Sequence, residues 1–145
     1  MDQAIKYIFE GRLPSLNKYT KALNNNRYDG ARMKRETEEA LMWQIMAQGK
    51  KQASGKVDIL IKWYVKNKKE DKDNIVFAKK FILDALQKAE VIKGDSWKFL
   101  NTTTDIVLIS GEAGRPSDYS VEVILSPAED QFKTIIKHLK ELVKS

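Results

Sequence analysis

Apolar and polar positions change period several times along the chain, and each change marks an element. Ile5, Tyr7 and Phe9 alternate with Lys6 and Glu10, the two-residue period of a short strand that ends at Gly11. The stretch GRLPSLNKYTKALNNNRYDG has Pro14, three consecutive Asn and Gly30 but no sustained period, so it reads as a long loop. A loop of that length in a small domain more often carries function than decoration. Over residues 31–48 Met33, Ala40, Leu41, Ile45 and Met46 form a helical stripe, with acids at 36, 38 and 39 near its start and Gly49 just past its end.

The clearest strand is KVDILIKWYVK at 56–66, with Val57, Ile59, Ile61, Trp63 and Val65 on one face and Asp58, Leu60, Lys62, Tyr64 and Lys66 on the other. KNKKEDKD breaks that pattern, and residues 74–89 read as a second helix. Strand-like stretches follow near 97–110 and 119–125, joined by the turn-rich GEAGRPSD. After Pro127 comes a helix whose stripe Phe132, Ile135, Ile136, Leu139, Leu142 and Val143 has clean i, i+3, i+4, i+7 spacing. Core packing is the first expectation for that stripe, a dimer face the second. The order β-α-β-α-β-β-α predicts one α/β (α+β) domain over residues 1–145, with a mixed, at least partly antiparallel sheet.

Composition narrows the class. A chain of 145 residues with 42% hydrophobic and 32% charged residues has the make-up of one folded domain rather than a disordered segment. No apolar run of signal length opens the chain and no stretch of about 18 apolar residues occurs in it. A cytoplasmic protein without a membrane partner is therefore the expectation. The absence of cysteine excludes disulfides and thiolate metal sites, and His138 is the single histidine. It falls on the polar side of the last helix and is expected at the surface. Any metal must be held by oxygen, which points to Mg²⁺ or Mn²⁺.

Charge adds a location. The net charge is +6, and residues 11–35 carry Arg12, Lys18, Lys21, Arg27, Arg32, Lys34 and Arg35 against Asp29 alone. Across the rest of the chain the two signs balance. A basic segment so concentrated suits a polyanion such as nucleic acid. Tyr19 and Tyr28 lie within it as candidates for base contact. Trp43, Trp63 and Trp97 can also stack on bases, although Trp63 fits the core face of its strand.

The acids concentrate elsewhere, in EDKDN at 70–74. Asp71 and Asp73 precede a helix that is apolar over most of its circumference, so its mouth is held by the core. Two roles are open to them. Asp73 can cap the helix while Asp71 favours its dipole. Alternatively the pair, joined by Asp95 if the loop after the helix folds back, can hold a divalent cation that relieves their repulsion. On one continuous helix Lys80 would lie about 20° to one side of Asp73 and Asp84, about 40° round from Lys80, about 20° to the other, so the three would share a polar stripe.

KKEDKDNIVFAKKFILDALQKAEVIKGDSWKF resembles the signature of the RusA-like family of Holliday junction resolvases: Asp-x-Asp-Asn, then a helix with a lysine four residues before Asp-Ala-Leu, then a loop ending in an acid. The matching positions are Asp71, Asp73 and Asn74, then Lys80 before Asp84, Ala85 and Leu86, then Asp95. The likeness extends more loosely to Pro14–Asn17 and the basic segment. It implies a small homodimer that binds four-way DNA junctions and cuts paired strands with Mg²⁺ or Mn²⁺, in DNA recombination and repair. It also implies Asp71, Asp73 and Asp95 as metal ligands, Lys80 on the scissile phosphate, and Asn74 and Asp84 in support. Asn17, Lys18, Lys21, Arg27, Lys34 and Arg35 would lie along the DNA. Three features depart from the pattern. The interval from Asn74 to Asp84 is longer by about three residues, nearly one turn, Glu70 stands where the family often has a base, and Gly94 stands before Asp95 where a second acid is common. A non-catalytic nucleic-acid-binding protein, or a nuclease for other branched DNA, remains the alternative.

Overall fold

A computed structural model of the chain describes residues 4–128 and 131–144, and the side chains of these outside 131–134. Strand β1 (Ile5–Glu10) buries Ile5, Tyr7 and Phe9, and β2 (Val57–Val65) buries the whole Val57, Ile59, Ile61, Trp63, Val65 phase, as a two-residue period requires. With β3 (Leu100–Ile109) and β4 (Ser120–Pro127) they form one sheet in the order β1-β4-β2-β3. β4 runs antiparallel to both β1 and β2, whereas β2 and β3 are parallel. The strand latest in sequence is thus inserted between the first two. The protein is a single α+β domain with a mixed sheet, as the pattern indicated.

The helices differ from expectation in three places. First, the supposed loop is α1 (Leu16–Asn25) followed at once by the start of α2 (Arg27–Gln48). Its loop-like residues are caps. Ser15 accepts from the Lys18 N–H at 3.2 Å, and Asn26, standing between the helices, accepts from the Asp29 N–H at 2.9 Å. Gly30 lets the helices meet, since a Cβ there would fall 2.3 Å from Leu23 Cδ2.

Second, the helix expected over 74–89 is two: α3 (Lys72–Val76) and α4 (Lys79–Lys88), separated at Phe77 and Ala78. The break falls in the interval that is long against the family pattern. It removes the continuous stripe of Asp73, Lys80 and Asp84. Leu41 and Ile45 of α2, with Phe81, Ile82, Ala85 and Leu86 of α4, close the core over one face of the sheet. Lys34 pairs with Asp84 at 3.7 Å, and Lys88 donates a hydrogen bond to the buried Glu38. That bond, with the nearby carboxylate charge, holds the Lys88 ammonium above its ordinary value against a smaller opposing effect of burial. Both pairs advance by four residues on both helices, so α2 and α4 run side by side in the same direction.

Third, α5 (Gln131–Lys144) does not pack into the core: Ile135, Leu139 and Val143 are 54%, 51% and 87% exposed. The first expectation for this stripe is corrected, since the sheet and α1–α4 complete the core without it. Phe132 lies outside the described side chains. His138 is exposed, as expected. Among the described residues no helix is long and apolar enough to cross a membrane.

The sheet face away from α2 and α4 carries Glu122, held by Lys6 at 2.9 Å and Lys62 at 3.5 Å. Burial alone would push its carboxyl up, but the hydrogen bond from Lys6 and the charges of both lysines prevail and hold it below its ordinary value. The stabilisation is complete above about pH 4.5 and is lost as the pH falls through the folded-state value. Thermal melts of Glu122→Gln should therefore show a loss of about 1–2 kcal/mol at neutral pH that narrows in acid. A gap between the two proteins that stays constant down to low pH would exclude this pair as the source.

Candidate nucleic-acid and metal site

Two segments 57 residues apart in sequence meet at one point. The first N–H groups of any helix lack partners within it. In α1 Ser15 serves the Lys18 N–H, and the Asn17 N–H is served from a distance by Asn74 Oδ1 at 2.8 Å. Asn74 in turn donates through Nδ2 to Glu70, and Glu70 forms an ion pair with Arg12. Arg12 also lies over the Tyr119 ring, 4.7 Å from its centroid. Glu70 is thus the residue that ties Arg12 and Asn74 together. Below this chain Tyr19 of α1 meets Phe77 at 5.4 Å and Phe81 at 5.7 Å between ring centres, and the two phenylalanines meet edge-on at 5.7 Å. Tyr19 is therefore half-buried packing between α1 and the α3–α4 break, not an exposed platform for bases.

Asp71 and Asp73 sit beside this junction, and the capping role suggested for Asp73 does not hold. Asp71 is the N-cap residue of α3, its side chain makes no capping bond, and Asp73 lies in the first turn. Both are exposed, and among the described residues neither carboxylate has a hydrogen-bond or ion-pair partner. Asp71 lines a cleft of about 530 Å³ with Glu70, Lys68, Lys72 and Glu112, at the end of the sheet where β2 and β3 finish.

Asp95 does not join them. The chain leaving α4 is stitched to the start of β2: the Ala53 N–H donates to Val91 O at 2.8 Å, and the Val57 N–H to Phe99 O at 3.0 Å. Asp95 lines a separate cleft with Lys56 and Leu100. The nine residues of β2 lie between the two ends, a separation on the order of 25 Å at about 3.3 Å per residue. The physical reason is the parallel pairing of β2 and β3. A helix must carry the chain back to the beginning of β2 before β3 can start. Among the described residues no three His, Asp or Glu side chains come together to hold a metal ion.

The remaining site residues separate into two groups. Lys18, Lys21, Arg27 and Arg35 are exposed and have no carboxylate partner among the described residues, whereas Lys34 is tied to Asp84 and Arg32 to Asp29. Arg27 lies over the ring of Tyr28, itself 69% exposed. Lys80, at the start of α4, is exposed and has no carboxylate partner among the described residues. Its neighbour Lys79 is engaged: its ammonium donates to Asp105 Oδ2 at 2.9 Å, while Trp63 Nε1 donates to Asp105 Oδ1 at 2.9 Å. Asp105 was missed in the sequence. Its signal was an acid on the same phase as Thr103 and Val107 in a strand rich in β-branched residues, where a carboxylate needs built-in donors. As expected, Trp63 is core, at 2% exposure.

Removing the distant cap tests this assembly. Asn74→Ala should cost about 1–2 kcal/mol in a thermal melt, and amide exchange at Asn17 should accelerate selectively. Unchanged protection of that one amide would show that α1 is held in place without Asn74.

Neither the protein-family models nor the curated proteins with which the chain was compared give a match.

Proposed function

We propose that the protein binds branched DNA through the exposed cations of α1 and α2 and cuts its backbone at the adjoining start of α3, where Asp71 and Asp73 stand, acting on four-way junctions in recombination and repair. The observation that carries this reading is the Asn17–Asn74 junction. It clamps the start of α1, a helix carrying Lys18 and Lys21, against the start of α3, where the carboxylates of Asp71 and Asp73 have no partner among the described residues. A basic surface retains phosphates, and two free carboxylates beside it supply what a hard cation needs.

The donor set fits Mg²⁺ or Mn²⁺: Asp71 and Asp73 are oxygen ligands, and Mg²⁺ takes one or two carboxylates together with waters and a substrate phosphate. Asp71 and Asp73 would hold such a cation, which would supply water activation and charge neutralisation at the phosphate. Glu70 and Asn74 hold the loop in position through Arg12 and Asn17. Lys80 is the lysine left free to approach a phosphate, since Lys79 is held by Asp105. Asp95 is not in that ligand set. A homodimer, which would present two such sites to a junction, and a cytoplasmic location complete the proposal.

The second reading, a DNA-binding protein without catalysis, is favoured by the distance of Asp95 from the acid loop. Incubation of a synthetic four-way junction and its matched linear duplex with Mg²⁺ or with EDTA separates the two. Paired nicks in the junction that require metal are the expected result. Tight binding without cutting in Mg²⁺ would establish the second reading.

A further inference from the structure

We propose that the loop carrying Trp97, at the opposite end of the sheet from Asp71, is a second nucleic-acid contact. It stacks an unpaired base of single-stranded DNA on the indole and holds the flanking phosphates with Lys56, Lys93 and Lys98. The proposal rests on DNA being the partner, but not on cleavage.

Tryptophan is usually well buried on average, yet Trp97 is 90% exposed. Its loop is not loose. The N–H groups of Phe99 and Leu100 donate to Ser96 O at 3.0 and 2.9 Å, and the Phe99 carbonyl accepts from the start of β2. Gly94 lets Phe99 close over the turn, since a Cβ there would lie 3.0 Å from Phe99 Cδ2. The indole is therefore presented on a built support.

Two clefts lie along this loop and share Lys56. One, of about 330 Å³, is lined by Trp97, Asp95 and Thr103, and the other, of about 210 Å³, by Lys93, Lys98 and Phe99. Lys56, Lys93 and Lys98 have no carboxylate partner among the described residues, although Lys6, Lys50, Lys62, Lys79 and Lys88 all do. Lys56 shares the first cleft with Trp97, and Lys93 and Lys98 line the second, Lys98 lying over the Phe99 ring at 5.5 Å. Cations without a carboxylate partner on the loop of a projecting aromatic ring suit single strands: cations follow the backbone while the ring takes a base of any sequence. Asp95 is the one acid lining either cleft, and it suits an amino group on a base edge rather than a phosphate.

The test uses the full chain carrying Trp43→Phe, so that Trp97 is the exposed reporter and Trp63 stays buried. Titration with oligothymidylate should quench the emission saturably, more weakly as salt rises. Lys93→Glu with Lys98→Glu should weaken binding by roughly tenfold or more, and Trp97→Ala, read by anisotropy of labelled DNA, by roughly tenfold, with Trp97→Phe recovering part of it. Absence of quenching while a four-way junction still binds would overturn this site and leave the function proposed above intact. Quenching without any junction cleavage would uphold this site and count against catalysis. Failure to bind either DNA would overturn both.

Discussion

Asp73→Asn is expected to abolish metal-dependent cutting of a four-way junction, by roughly a hundredfold or more, while leaving junction binding unchanged or tighter. The direction of each effect follows from where Asp73 stands. Its carboxylate is exposed and has no partner among the described residues, so the amide disturbs nothing in the fold. Under the function proposed above, the change removes a charged oxygen ligand for a divalent cation. DNA phosphates approaching the loop then meet one negative charge fewer, which favours binding even as cutting is lost. Nick counting on a labelled junction, beside a binding titration in Ca²⁺ or EDTA, reads both effects. Undiminished cutting would remove Asp73 from the metal site, and lost binding would show that Asp73 contacts DNA directly.

The second large effect concerns the salt dependence of binding. Lys18→Ala, Lys21→Ala and Arg27→Ala together should weaken junction and duplex binding by roughly one to two orders of magnitude at physiological salt. They should also flatten the plot of log affinity against log salt by about three, near 0.9 for each phosphate no longer neutralised. All three side chains are exposed and none has a carboxylate partner among the described residues, so stability should hold. Lys34→Ala makes the contrast, since Lys34 already faces Asp84 and should change the slope little. Arg12→Ala is different again: it breaks the Glu70 pair and should act through the loop rather than through phosphate. An unaltered slope in the triple variant would mean that DNA lies on another face.

The basic segment shows how local signals were misassigned. Pro14, Ser15 and the Asn run are turn-forming residues, and a loop was the natural reading. The same residue types also cap helices, and whether Asn26 closes a loop or joins two helices depends on what the helices pack against. Tyr19 decides that here, by meeting Phe77 and Phe81. A lone aromatic among lysines cannot disclose its partners. Nor can the run from Asn74 to Ala89 disclose its break at Phe77 and Ala78, because every residue there favours or tolerates a helix.

What the sequence by itself determined is the sheet and its core. β1 and β2 follow from two-residue alternation, because that pattern can bury its apolar side in only one way. Of the stripe read for α2, Leu41 and Ile45 are buried, whereas Met46 is 55% exposed and Glu38 is buried with Lys88 as its partner. The concentration of positive charge in one early segment, and the oxygen-only chemistry left to any metal, were equally legible. Only the tertiary structure decided which functional residues meet. Asn17 and Asn74 come together across 57 positions, and Glu70 joins Arg12. Asp95 stays at the far end because β3 runs parallel to β2, so the chain must return to the start of β2 before β3 begins. Pairing direction is a property of two strands at once. No residue spacing within either strand encodes it.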